Sequence, residues 1–253
     1  IILTTPGSLV LTNIQTNSNL WHGAEMDNTS GLGNVTLTTG QFNANSGSGL
    51  RLFSKGIVTL KDITANGNFE AGAFVDNSTS PTPKAVTVNG LNTFSNNTNG
   101  SGLYVLSLGA ITLNDINASK NGVYGAYAKN NAAGVGAVAL TGTNVFSENG
   151  AGGLLVLSNG AIKANNVASF SNMGDGISLN NEMALTPQPI TLTGITMAKY
   201  NDSIGIYIRS MGVLTASNLT MNYNNIGADI DNSTGGKLTG VTLSGINSFS
   251  NNQ

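Results

Sequence analysis

The sequence predicts an all-β solenoid, a single-stranded parallel β-helix with three short strands per coil and about ten coils. Three observations predict it. Asparagines recur every 23 to 29 residues in one local frame, at Asn19, Asn45, Asn68, Asn97, Asn121, Asn149, Asn172, Asn201, Asn224 and Asn252. Before each of them, except at the start of the chain, apolar and outward residues alternate at period two, which indicates strand rather than helix. A glycine usually follows four residues later and opens a second alternating run, as in Ile111-Thr112-Leu113, Asn121, Gly125, Ala126-Tyr127-Ala128. Units of this size cannot bury an apolar face alone and must stack on their neighbours. No linker interrupts the frame, so residues 1–253 are expected to form one continuous segment.

The first strand of each coil is expected to begin at Leu9, Val35, Val58, Val86, Ile111, Val138, Ile162, Ile190, Leu214 and Val241. Its outward middle position reads Val10, Thr36, Thr59, Thr87, Thr112, Ala139, Lys163, Thr191, Thr215 and Thr242, a Thr-rich column suited to a pleated outer surface. The second strand is short, typified by Ile116 and Ala118 or by Leu91, Thr93 and Phe94. The third strand follows the glycine and turns inward pairs such as Ala24/Met26, Leu50/Leu52, Leu103/Val105, Leu154/Val156 and Ile206/Ile208. At about 4.8 Å per stacked strand, the coils make a rod of about 48 Å. Leucine-rich repeats share the period but need a leucine consensus and a helical segment, which this Gly- and Asn-rich chain lacks.

The recurrent Asn has a structural purpose. At a tight corner Asn tolerates left-handed backbone angles, and its amide both donates and accepts, so stacked copies are expected to form a ladder along the axis. The glycines at Gly23, Gly49, Gly72, Gly125, Gly153, Gly176 and Gly205 then supply positive φ or close backbone approach.

A finer period is superimposed. The residue ending the third strand alternates strictly, Asn28, Ser54, Asn77, Ser107, Asn130, Ser158, Asn181, Ser210, Asn232. After each Ser the next coil starts four residues later, and after each Asn seven to nine later. The true repeat is therefore two coils, about 51 residues, with a projecting loop every second coil, including Ser80-Pro81-Thr82-Pro83 and Pro187-Gln188-Pro189. Ile1 to Thr5 aligns with a third strand and Asn252 with a corner, so the chain is expected to be an uncapped slice of a longer array.

Composition limits the function classes. Charged residues make up 9% of the chain, against about 25% in average proteins, while it holds 33 Gly and 37 Asn. With net charge −2 and ten Lys plus Arg there is no basic field for a nucleic acid. No apolar run reaches the roughly 18 residues of a membrane span. Cysteine is absent, which leaves neither disulfides nor thiolate chemistry.

No catalytic, cofactor-binding or metal-ligating set emerges, and no cofactor is expected. The single histidine, His22, has no second His to complete a metal cluster or relay and reads as a surface corner residue beside Trp21. The acidic residues are scattered, and Arg51 and Arg209 fall in columns next to Glu25 and Asp231, where cross-strand pairing accounts for them. The outward positions of the third strand stand out. Phe53, Phe74, Tyr104, Leu106, Tyr127, Leu155, Leu157 and Tyr207 would form an apolar stripe, the mark of an interaction surface for sugar rings or another protein.

Two short motifs carry a resemblance. Phe42-Asn43-Ala44-Asn45, Phe94-Ser95-Asn96-Asn97, Phe146-Ser147-Glu148-Asn149 and Phe249-Ser250-Asn251-Asn252 share the form Phe-x-x-Asn, and Gly109-Ala110-Ile111 and Gly160-Ala161-Ile162 the form Gly-Ala-Ile. The pair resembles the repeat signature of polymorphic outer-membrane adhesins and, more broadly, of pectate-lyase-like right-handed β-helix surface proteins. The resemblance implies a right-handed coil, the usual hand of parallel crossovers, and a secreted or cell-surface location. The catalytic residues of pectate-lyase-like enzymes have no matching positions here. The expectation is therefore a non-catalytic structural or adhesive segment that self-associates or binds another surface protein or glycans. A polysaccharide-active β-helix and an ice-binding solenoid are the alternatives.

Overall fold

The computed structural model describes residues 1–131, 136–233 and 239–253. Those residues contain no helix, and every strand pairing is parallel. The third strands stack into one ten-stranded sheet, from Ile2–Thr4 through Ala24–Asp27, Leu103–Leu106 and Ala126–Asn130 to Ile226–Asp231. Ten strands in one sheet are nine turns of a β-solenoid. The first strands begin at the ten expected residues, and the inward pairs of the third strand are buried.

The three-strand coil is modified at one corner. First and second strands run together in several coils, as Leu9–Gln15, Val35–Gln41, Val58–Thr64, Ile162–Phe170 and Ile190–Lys199, and join a single 14-stranded bent sheet. The bend comes from one left-handed residue per coil: Asn13, Thr39, Asp62, Gly90, Asp115, Gly142, Asn166, Gly194, Asn218 and Gly245 all have φ between 49° and 74°. Asp or Asn alternates with Gly along most of this file because the side chain of one coil covers the Gly of the next. A Cβ on Gly90 would lie 2.1 Å from Asp62 Oδ1, and one on Gly142 2.2 Å from Asp115 Oδ1. The same oxygens accept the N–H groups of Leu91 (2.9 Å) and Thr143 (2.7 Å). The turn at Gly90 also moves Leu91 outward, where it is 79% exposed, and puts Asn92 inside, so the second strand is Asn92–Thr93 and excludes Leu91, contrary to expectation.

The Asn ladder forms. Each Oδ1 accepts two hydrogen bonds from the ladder Asn of the preceding coil, one from its backbone N–H and one from Nδ2, at 2.8 to 3.3 Å from Asn19 to Asn252. The second Nδ2 hydrogen goes to a carbonyl one coil back, as from Asn121 to Phe94 at 2.9 Å. The left-handed angle is carried by the residue before each ladder Asn and not by the Asn: Ser18, Ala44, Gly67, Asn96, Lys120, Glu148, Ser171, Tyr200, Tyr223 and Asn251. The glycine four residues on serves close approach rather than positive φ. A Cβ at Gly125 would lie 2.7 Å from the Gly153 carbonyl oxygen and 2.9 Å from Asn149 Nδ2.

The two-coil repeat is written in the core as well as in the loops. Along one inward column Phe42, Ala65, Phe94, Ala118 and Phe146 alternate, all fully buried, so large rings and small side chains take turns along the narrow interior. At the loop edge Ser54 and Ser107 accept the N–H of Gly56 and Gly109 at 2.9 Å, closing a tight turn. Asn77 and Asn181 instead donate to Lys84 and Gln188 at 2.9 Å, holding the neck of a projecting loop. The outer Thr column lies in register on the opposite sheet, interrupted by Ala139 and Lys163.

Candidate functional site

The ten-stranded sheet presents two outward columns to one side of the rod. Phe74, Tyr104, Tyr127 and Leu155 follow one another in the first, with Glu25 and Arg51 before them and Tyr207 and Asp229 beyond. Phe53, Leu106 and Leu157 lie in the second. All eight stripe residues therefore point outward, as expected, but each is half-buried, the rings from Phe53 to Tyr127 against one another and Tyr207 under Arg209. Ring centroids are 5.7 Å apart for Phe53 and Phe74, 5.3 Å for Phe74 and Tyr104, and 4.6 Å for Tyr104 and Tyr127. Burial pushes the Tyr127 hydroxyl up to about 12, so it stays protonated across the physiological range.

Charged groups bracket this apolar run. At one end Arg209 makes two 2.9 Å bonds to Asp229 and lies 4.0 Å over the Tyr207 ring. The sequence pointed to Asp231 as its partner. Asp231 is the register partner, but its carboxylate is taken up by the Ser233 N–H and hydroxyl, which leaves Asp229 to the guanidinium.

The other end holds a recess of about 490 Å³ lined by Trp21, His22, Ser48, Arg51, Glu70 and Phe74, among others. His22 sits at a corner, as expected, but it is 7% exposed and not a surface residue. Burial and the neighbouring Arg51 hold its pKa below 6.5, so the ring is neutral at neutral pH. Its Nδ1 accepts the Ser48 backbone N–H at 2.9 Å. A neutral ring accepting at Nδ1 carries its proton on Nε2. Nε2 faces Arg51 Nη1 at 3.0 Å, so two donors oppose each other across the floor of the recess. An acceptor oxygen lying beside both nitrogens, at the apex of a triangle with them, would satisfy both. Arg51 is also 3.3 Å from Glu25, and Glu70 is fixed by the Ser48 hydroxyl at 2.9 Å, 3.7 Å from His22 Nδ1.

Sequence reading did not find this recess, although a signal existed. Trp21-His22 occupies corner positions that hold Gly47-Ser48, Glu70-Ala71 and Gly100-Ser101 in the next coils, and two adjacent rings there are out of pattern. Among the described residues no group of three His, Cys, Asp or Glu side chains could hold a metal ion. No described helix is long and apolar enough to cross a membrane.

No family model matches the chain, and a search of curated proteins finds no match. Two solved structures do match. One is the A-module of mannuronan C-5 epimerase AlgE4 from Azotobacter vinelandii, 13% identical, with TM-score 0.62 over 100% of this chain and 81% of that one. The other is a double mutant of the periplasmic alginate epimerase AlgG, also 13% identical, with TM-score 0.60 over 98% of this chain and 70% of that one. The likeness shows the fold alone, a right-handed parallel β-helix.

Both matching structures are polysaccharide-modifying proteins by name, and that corrects two expectations. They tell against the expected non-catalytic adhesive segment and against the exclusion of enzymatic activity, and they favour the polysaccharide-active alternative. The error had a physical origin. Acidic residues are scattered along the chain, whereas the recess brings together His22, Arg51 and Glu70 from three successive coils, with Glu25 paired to Arg51.

Proposed function

We propose that the chain acts on an acidic polysaccharide laid along the ten-stranded face, with a sugar carboxylate held in the His22–Arg51 recess. The observation that carries this reading is the pair of opposed donors, His22 Nε2–H and Arg51 Nη1, 3.0 Å apart at the floor. A carboxylate accepts from both and removes the conflict, and the guanidinium supplies its counter-charge. Trp21 and Phe74 line the recess as apolar faces for the sugar ring. From there the stripe through Tyr104 and Tyr127 continues coil by coil at about 4.8 Å, near the length of one pyranose unit.

Neutralising a carboxylate acidifies the adjacent C–H, because negative charge developing on its oxygens is met by donors already in place. The reaction class is removal of that proton from one face of the carbon and delivery of a proton to the opposite face, which inverts the centre, in keeping with the C-5 epimerase activity named for one matching structure. Glu70, the carboxylate that lines the recess, would receive the proton. The protein would work outside the cytoplasm, as the periplasmic protein named in the other match does.

The test is a proton NMR time course of the parent and Arg51→Ala with polymannuronate, polyguluronate and polygalacturonate. Altered anomeric signals or new unsaturated ends with the parent, absent with Arg51→Ala, are expected. If none of the three polymers changes under any condition of pH and salt, the enzymatic reading is wrong.

A further inference from the structure

A second aromatic feature lies seven ladder steps from the recess, on the corner between the second and third strands, where Asn201 corresponds to Asn19. Tyr200 and Tyr223 stack in parallel there, with centroids 4.9 Å apart and planes inclined by 10°. Both are left-handed, at φ 59° and 61°. The same position holds Ser18, Ala44, Gly67, Asn96, Lys120, Glu148, Ser171 and Asn251 in other coils, none of them aromatic. Bulky residues are disfavoured there, and these two gain little burial in return, being 56% and 47% exposed.

The pair opens on a groove of about 610 Å³ that Asp202, Asn225, Asn251 and Gln253 also line. The lining is aromatic and amide, and Asp202 is its one charged side chain. Amides both donate and accept, matching hydroxyl groups, and the carboxylate disfavours a polyanion.

We propose that Tyr200 and Tyr223 form a separate binding site for an uncharged, hydroxyl-rich sugar chain. The rigid rings offer stacking area to the C–H face of a pyranose, and the surrounding amides bind its hydroxyls. The site is independent of the His22–Arg51 recess. It would anchor the protein to neutral glycan while the recess engages an acidic one.

Titration calorimetry with cellohexaose and with mannohexaose tests this on the parent and on the double variant Tyr200→Asn/Tyr223→Asn. At least one of these sugars should bind the parent, and the double variant should bind it at least tenfold more weakly. Asn accepts left-handed angles, so the variant should melt at or above the parent temperature and keep its affinity for polymannuronate. Absence of neutral-sugar binding at millimolar concentration would overturn the proposal. So would undiminished binding by the variant, or a lowered melting temperature, which would make the pair a packing element.

Discussion

Asn121 Oδ1 accepts two hydrogen bonds from Asn97, from Nδ2 at 2.8 Å and from the backbone N–H at 3.1 Å. One side-chain oxygen thereby fastens both the main chain and the side chain of the coil before it. Its own Nδ2 continues the file to Asn149 at 3.0 Å and reaches back to the Phe94 carbonyl at 2.9 Å. Every polar atom of the amide is used.

Asn121→Ala should therefore cost about 1 to 3 kcal/mol, since several buried groups lose a partner at once. Asn121→Asp keeps the acceptor and loses both donors, so it should be destabilised too. Denaturant titration of the two variants measures this. An unchanged midpoint for Asn121→Ala would show that the ladder is incidental to stability.

Thr196 marks a place where the two-coil repeat lapses. Asn92, Asn144 and Asn247 stand at the matching position and accept the N–H of Ile63, Ile116 and Leu219 at 3.0 to 3.1 Å. The Thr196 hydroxyl is buried without a partner. Thr196→Asn should place an acceptor near Val167 and stabilise the protein by about 1 kcal/mol. A thermal melt should move up by about 2 to 4 °C, and a fall would mean the site cannot hold an amide.

His22 gives the recess a pH signature. Its folded pKa lies below 6.5, so as pH falls through that value the unfolded chain takes up a proton that the folded chain resists. The stability associated with neutral His22 is present above about pH 6.5 and declines below it. The melting temperature should fall between about pH 7.5 and pH 5.5, and His22→Gln should fall less over the same window. Parallel declines in the two proteins would show that His22 titrates as freely folded as unfolded.

The solenoid was legible because its rules are local and repeated. Period-two alternation at Ile111 to Leu113 and the spacing from Asn97 to Asn121 to Asn149 specify strand, corner and stacking partner from sequence alone. The exact owner of the left-handed angle was less so. Lys120 and Glu148 take it, and neither residue type signals a turn, because the ladder Asn beside them imposes the geometry. The recess was hidden for another reason. His22, Arg51 and Glu70 are 29 and 19 residues apart in succession and meet only once coils are superposed in register. The stripe was legible because Phe74, Tyr104 and Tyr127 occupy one outward column, whereas the recess, made across coils, leaves only the out-of-pattern Trp21-His22 pair in a single repeat.

Calorimetric titration of a mannuronate oligomer into the parent protein and into Arg51→Ala tests the acidic-polysaccharide reading most directly. The account predicts salt-sensitive binding by the parent, weakened at least tenfold in Arg51→Ala with the melting temperature preserved. Equal affinity in the two proteins, or no binding by the parent at low salt, would contradict it.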